Sequence, residues 1–395
     1  MTGMAIIGAG ECGVRAAFEL RARGYAKAIT LVNGETSLPY ERPPLSKSLV
    51  ADAKPIKTEG SFAEAHIAMR SGVMALSIDP SHKTVALSDG ATLDYDKLLI
   101  ATGARARVFS GMEDCLTLRT DRDAAAISVH LKPGARIGII GGGFIGLELA
   151  AMAVKSGADV TVIEGATRLM QRAVPAQITD VVHRRHDAEG VTLRTGTAVA
   201  SADATSITLA DGTVLRFDAV IAGVGALPNT DLAREAGLVV TNGIVVGETF
   251  RTSDPHIFAG GDCCNFDWAG ERVRLESWKA AQDQGAHVAA AMLGEKAQYT
   301  HVPWFWSDLY DLTLQVAGLF DMAAPTHDRP MPDGQRLVFQ CDTQGRLSAA
   351  AGIGPGNGIA KHISIFEKLI ARGAILDPAT LRDPQHNLKR HLRAA

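Results

Sequence analysis

The chain has 395 residues, 46% of them hydrophobic, which is enough for two or three domains with full cores. Its formal charge of −3 is close to balance, and this argues against a nucleic-acid partner on bulk grounds. The five cysteines, Cys12, Cys115, Cys263, Cys264 and Cys341, are odd in number and form no C-x-x-C pair, so neither a disulfide framework nor a zinc site is expected.

The chain opens on MAIIGAG. This apolar run has no basic flank and leads straight into a glycine turn, so it reads as a buried first strand and not as a targeting segment. No apolar run approaches the roughly 18 residues that span a bilayer, and a soluble, cytoplasmic protein with reduced thiols is expected. GVRAAFELRARG follows as an amphipathic helix ending at Gly24, and AITLVNGE as the next strand. Gly8-x-Gly10-x-x-Gly13 therefore sits between strand and helix. Its glycines serve the tight turn, the approach of backbone to a pyrophosphate, and helix–strand contact. The helix N-terminus offers N–H groups to phosphate, that of Cys12 among them. Glu35 follows Gly13 by 22 residues at the end of the second strand, where a carboxylate grips a ribose hydroxyl.

Strands are expected at 83–88 and 97–101, with a hairpin at the D-G pair 89–90. Residues 136–164 then repeat the opening plan as RIGIIGGG, FIGLELAAMAVKSG and ADVTVIE. The second turn is Gly141-x-Gly143-x-x-Gly146, with Ile145 inside it and Glu148 in the first turns of the helix. Glu164 follows Gly146 by 18 residues. An acid there accepts both ribose hydroxyls and repels a 2′-phosphate, which favours NADH. Arg168 and Arg172 lie just downstream, where an arginine can hold that phosphate. VVHRRHDAEG at 181–190 reads as a solvated helix face. Further strands are expected at 191–199, 205–210 and 218–224, with a second D-G hairpin at 211–212. Both modules thus carry a small antiparallel insertion before their last strand. Gly223 and Gly225, at the end of 218–224, permit close approach of a nicotinamide. Residues 244–262 read as strand, turn, strand, and 276–293 as a helix. After 299 the texture becomes strands plus a helix, an α+β module.

Two complete fingerprints imply two dinucleotides. A hydride donor beside a tightly held acceptor makes a flavin-dependent reductase, with NADH and FAD as the expected cofactors.

Several stretches carry a more specific resemblance. TSDPHIFAGGD ends in Asp262 and resembles the second FAD motif of two-dinucleotide flavoproteins. KLLIATGA, with Thr102 and Gly103, resembles their ATG motif. PYERPPLSK, RLESWKAAQDQG and PWFWSDLYDLTLQVAGL together resemble the FAD-dependent ferredoxin reductases that serve bacterial oxygenases, the family of putidaredoxin reductase and of the reductase components of aromatic-ring dioxygenases. The resemblance runs from residue 4 to about 390. It implies an α/β fold of glutathione-reductase type, with two Rossmann-like three-layer dinucleotide-binding domains and a C-terminal α+β domain. The FAD-binding domain would be 1–112 and 241–298, the NAD-binding domain 113–240, and the reductase or acceptor-docking domain 299–395.

It also implies roles. Cys12, Glu35, Arg42, Lys47, Ala75, Arg119, Asp262 and Trp278 fall where the family contacts FAD. Lys47 and Glu148 resemble the charge pair beside the flavin on its nicotinamide side, where a lysine favours the negative charge arriving with hydride. Trp306 resembles a tryptophan on the electron path to the iron–sulfur partner. No cysteine lies between 12 and 115, where disulfide reductases of this architecture carry their redox cysteines, so electrons are expected to leave without sulfur chemistry. The basic end LKRHLR at 388–393 either helps dock an acidic ferredoxin or is a solvated helix end. The reading is an NADH:ferredoxin oxidoreductase passing electrons singly to a [2Fe–2S] ferredoxin, or to rubredoxin, that feeds an oxygenase. The alternatives are a small-molecule NADH oxidoreductase of monodehydroascorbate reductase or NADH oxidase type, and an NADH-sensing flavoprotein.

Overall fold

The computed structural model describes residues 2–48, 53–332 and 334–392. Arg393 of the basic end lies outside them; Leu388–Leu392 forms a 3-10 turn. The chain divides into two compact units. One comprises 1–42, 53–105 and 226–301, the other 43–52, 106–225 and 302–395.

The first unit is built on a parallel five-stranded sheet. Its order is Ile257–Ala259, Lys97–Ile100, Met4–Ile7, Ile29–Asn33, Ile67–Ser71. The central strand is buried along its whole length, as a strand covered on both faces must be, and this is why MAII reads as an unbroken apolar run. Helix Glu11–Ala22 leaves the first strand through the glycine turn and ends at Gly24, whose φ of +83° takes the chain out of the helix. Helix Trp278–Met292 packs beside it so closely that a Cβ on Gly285 would lie 2.5 Å from the Cys12 carbonyl oxygen. The antiparallel insertion is Ala75–Asp79, Thr84–Leu87 and Thr92–Asp94.

The second unit repeats the plan. A parallel sheet runs Thr192–Arg194, Asp159–Ile163, Arg136–Ile140, Ala219–Ala222, with helix Phe144–Lys155 following the second turn. Its insertion is Val199–Ala202, Ser206–Leu209 and Val214–Arg216. The single strand expected over 191–199 is in fact two, separated at Gly196, where φ is +63°. A five-stranded antiparallel sheet completes the unit, in the order Trp304–Leu309, Leu312–Gly318, Leu347–Pro355, Arg336–Cys341, His327–Arg329. Alternation of side chains along these strands divides them between two cores. Leu314, Val316, Val338 and Ile353 pack with Ile178 and Val182 of helix Ala176–Ala188. Ala317, Leu337, Phe339 and Ala350 pack with Ile363, Phe366 and Leu369 of helix Ala360–Ala371.

The solvated face expected at 181–190 needs correcting. His186 is fully buried and hydrogen-bonds through Nδ1 to the Tyr310 hydroxyl at 2.8 Å. Burial pushes its imidazole down to about 4. Among the described residues no helix is long and apolar enough to cross a membrane.

Candidate functional site

The two glycine turns answer to the same sterics. At Gly8 φ is +105° and a Cβ would lie 2.2 Å from the Ala101 carbonyl oxygen. At Gly13 it would lie 1.9 Å from the Gly8 carbonyl oxygen. At Gly141 φ is again +105°, with the Gly223 carbonyl oxygen 2.4 Å from a Cβ, and at Gly146 the Gly141 carbonyl oxygen is 2.2 Å away. These four glycines are required by the protein's own backbone. The middle ones are not. A Cβ on Gly10 or Gly143 would meet no described atom within 4 Å, and both residues hold extended conformations open to any side chain. Both are helix N-caps without a side-chain cap, which leaves the first N–H groups of both helices without a bond from the cap residue. Each turn therefore fits a pyrophosphate in the place a side chain would fill.

The acids stand where the spacing put them, each already engaged. Glu35 accepts from Arg42 Nη2 at 2.6 Å and from the Tyr40 hydroxyl at 2.5 Å. Glu164 accepts from the backbone N–H of Gly142 and of Ala166, both at 2.7 Å. A carboxylate has about four lone-pair sites, so two contacts leave room for ribose hydroxyls. Arg168 donates to the carbonyls of Val174 (2.8 Å) and Gln171 (3.0 Å). Arg172 is exposed. Ile145, in the first turn of its helix, is an exposed large apolar side chain at 43%.

Around the first turn the structure gathers several expected residues. Thr102 and Gly103 continue directly from Ala101, the residue against Gly8. They are clamped by Asn229, whose amide donates to the Thr102 carbonyl at 2.9 Å while its own carbonyl accepts from the Thr102 hydroxyl at 2.7 Å. Cys12 turns its sulfur toward Gly260 and Gly261, immediately before half-buried Asp262. Ala75 starts the strand that follows Met74, whose Cγ would lie 3.5 Å from a Cβ on Gly34. Trp278 opens its helix beside Gln282, whose amide donates to Glu11 at 2.9 Å. Burial pushes the Glu11 carboxyl up, against the Gln282 and Trp278 hydrogen bonds, with Glu41 adding to the rise. Lys47 and Arg119 belong to the second unit. Arg119 directly precedes a helix start whose capping box, Thr120 and Asp123, also binds the Arg119 N–H at 2.9 Å.

The second unit brings Lys47, Glu148 and Trp306 together across the sequence. Lys47 Nζ is 3.6 Å from Glu148 Oε1 and 2.8 Å from Asp308 Oδ2, and lies 4.8 Å from the centroid of the Trp306 ring. Glu148 is only 6% exposed and accepts hydrogen bonds from the hydroxyls of Ser46 and, at 2.6 Å, Ser307. Burial pushes its carboxyl up; Lys47 and the two serines pull it down, and Asp308 pushes it up again. The Trp304 and Trp306 rings stack with centroids 5.5 Å apart. Gly223 backs onto Gly146, while Gly225 turns with φ of +111°. Sequence reasoning missed Glu11, Asn229, Asp308 and the two serines. Glu11 stands between the second and third glycines, and Asp308 inside the quoted FWSD stretch, so both had a positional signal.

All five cysteines are free, and burial pushes every thiol up, Cys115 to about 11. A reactive thiolate is disfavoured at each.

The pyridine nucleotide-disulphide oxidoreductase family matches residues 2–285, and the reductase C-terminal family residues 304–392. The ferredoxin–NAD(+) reductase component of the anthranilate 1,2-dioxygenase system of Burkholderia cepacia is 40% identical over 403 residues, covering 98% of each chain. Putidaredoxin reductase CamA of Pseudomonas putida is 39% identical, over 85% of this chain and 86% of its own. Among solved structures, the covalent putidaredoxin reductase–putidaredoxin complex matches with a TM-score of 0.93 at 34% identity, covering 100% of this chain and 99% of that one. The resemblance carried by PPLSK and FWSD is borne out, and so is the fold class drawn from it. The chain belongs to the pyridine nucleotide-disulphide oxidoreductase family and, within it, to the ferredoxin reductases.

Proposed function

We propose that the chain is an NADH:ferredoxin oxidoreductase that holds FAD at the Gly8–Gly13 turn and takes NADH at the Gly141–Gly146 turn. Its acceptor is a small [2Fe–2S] ferredoxin, with rubredoxin as the alternative, and that carrier feeds an oxygenase. One observation carries the reading. Each of two turns has a middle glycine that no described atom of the protein requires, so a ligand is left as the reason for both. FAD, when bound, supplies the chemistry that converts a two-electron donor into single-electron steps.

The chain's own residues bind, orient and balance charge. Gly8, Gly10 and Gly13, with the N–H groups near Cys12, cradle one pyrophosphate. Glu35, steadied by Arg42, faces a ribose. Ala75, Thr102, Gly103, Arg119, Asp262 and Trp278 complete the FAD contacts. Gly141, Gly143, Ile145 and Gly146 receive NADH, with Glu164 on its ribose and Gly223 and Gly225 clearing space for its nicotinamide half. Lys47 contributes a fixed positive charge where negative charge arrives, with the buried Glu148 as its charge partner 3.6 Å away. Trp306 marks the exit. The corresponding domains are 1–112 with 241–298 for FAD, 113–240 for NADH and 299–395 for the acceptor. Free, protonated thiols, four of the five buried, support electron exit without a disulfide step, and reduced thiols suit a cytoplasmic setting. The relatives named above are ferredoxin–NAD(+) and putidaredoxin reductases, which supports the choice of acceptor.

The test is steady-state NADH turnover of the yellow holoenzyme with a [2Fe–2S] ferredoxin, rubredoxin, oxygen and the ascorbate radical as separate acceptors. Ferredoxin reduction should dominate. Fast turnover with oxygen or the ascorbate radical alone would hand the protein to the small-molecule reductases. Slow reoxidation with a long-lived charge-transfer complex would make it a sensor.

A further inference from the structure

We propose that Asp308 is a positioning residue: it holds the Lys47 ammonium against Trp306 and off Glu148, and so sets how readily Glu148 ionises. The inference deepens the reading of Lys47 and Glu148 given above and takes its significance from it.

The cluster holds one cation and two carboxylates, and the distances show how the cation is shared. At 2.8 Å, Lys47 Nζ hydrogen-bonds Asp308; at 3.6 Å it is beyond hydrogen-bond range of Glu148 and acts on it only through its charge. Asp308 is itself fixed from two sides. Its Oδ2 also accepts the Trp306 indole N–H at 3.0 Å, and its Oδ1 accepts the hydroxyl of Thr313, its register partner on the next strand, at 3.1 Å. Trp306 and Asp308 are two residues apart on one strand and so share a face. The ammonium is thereby drawn over the Trp306 ring. Asp308 is the more accessible carboxylate, half-buried with its side chain 43% accessible, whereas Glu148 is 6% exposed and relies on Ser46 and Ser307.

The groups facing Glu148 come from two packed elements: Ser46 and Lys47 from the Pro43–Ser46 turn and the residue after it, Ser307 and Asp308 from strand Trp304–Leu309. Removing the charge of Asp308 acts twice in one direction. It deletes a negative charge that opposes ionisation of Glu148, and it releases Lys47 to close on Glu148. Ionisation of Glu148 must then become easier. The proton concerned leaves as Glu148 O–H to water and returns from water; no other bond changes.

The experiment is an infrared pH titration of the holoenzyme, following the carbonyl stretch of protonated carboxyl groups. The Glu148 band is identified by its loss in Glu148→Gln. In Asp308→Asn its midpoint should fall by about one pH unit or more, the scale on which a cation within hydrogen-bonding reach acts on a carboxylate. Asp308→Glu, which keeps the charge, should stay nearer the wild type. An unchanged or raised midpoint in Asp308→Asn overturns the proposal. So does a Glu148 that holds one protonation state wherever the holoenzyme is folded. Asp308→Ser provides a second variant should Asp308→Asn not fold: it too removes the charge, so the midpoint must fall, and an unchanged or raised midpoint rejects the positioning role. A protein that fails to oxidise NADH yet shows the Asp308→Asn shift keeps the positioning role and loses the reductase reading. The opposite pair of results does the reverse.

Discussion

The turn at Gly8–Gly13 and the turn at Gly141–Gly146 are made by the same contacts, yet the acids behind them are held differently. Side chains grip Glu35, through Arg42 and Tyr40, whereas backbone N–H groups grip Glu164. The surroundings differ as well. The helix after the first turn lies tight against Trp278–Met292, with Cys12 buried between them; the helix after the second presents Ile145 to solvent. The steric logic of the turn is shared, and the elements packed around it are what differ.

The sharpest way to break this comparison is to separate the two kinds of glycine. Gly13→Ala and Gly146→Ala force a Cβ to within 2.2 Å or less of a backbone oxygen. Each should cost about 3 kcal/mol of stability or more, or prevent folding, as read by denaturant midpoints. Gly10→Ala and Gly143→Ala place a methyl in open space and should stay within about 1 kcal/mol, yet should strongly weaken FAD and NADH binding respectively. Middle-glycine variants that bind both nucleotides normally would remove the ground for reading either turn as a phosphate cradle.

The second unit also holds a buried group that should respond to acid. His186 is buried neutral in the second unit, with its Nε2 facing no partner among the described residues. Its folded-state value lies below that of the unfolded chain, so its contribution is intact above the ordinary histidine value of 6.5 and is lost as pH falls toward about 4. Across that window the loss should be about 3 kcal/mol. His186→Phe should flatten the acid limb of the stability curve, and an unchanged limb would place the acid sensitivity elsewhere.

How much of this was legible beforehand follows from the range of each interaction. The two turns, their flanking strands and helices, and both D-G hairpins are local patterns, and they appear where the pattern put them. The 191–199 stretch was misread because one glycine, Gly196, takes a positive φ inside an apparently continuous strand. His186 was misread although its signal was present: Ile178, Val182 and His186 recur at intervals of four, the stripe a helix buries. The Lys47–Glu148 pair spans 101 positions, and only the family resemblance suggested it. Ser46, Ser307 and Asp308 stand inside the PPLSK and FWSD stretches, yet their shared role could not be read there, because a hydrogen-bond network is defined by tertiary neighbours and leaves no periodic trace.

The smallest expected effect tests the difference between the two acids directly. Glu164→Ala removes a carboxylate that backbone donors hold in place, so the ribose site has no substitute nearby; Arg168 is committed to the carbonyls of Val174 and Gln171. NADH affinity should fall by roughly 1–3 kcal/mol, the scale of losing hydrogen bonds to a charged group, and the preference over NADPH should narrow because the repelling charge has gone. Titration calorimetry with both nucleotides measures the two together. Glu164→Gln refines the result. It keeps an acceptor for one of the N–H groups of Gly142 and Ala166 but carries no charge, so it should hold the turn's shape while still losing discrimination. If Glu164→Gln binds NADH and NADPH in the wild-type ratio, the carboxylate serves only to brace the turn, and the backbone grip is its whole purpose.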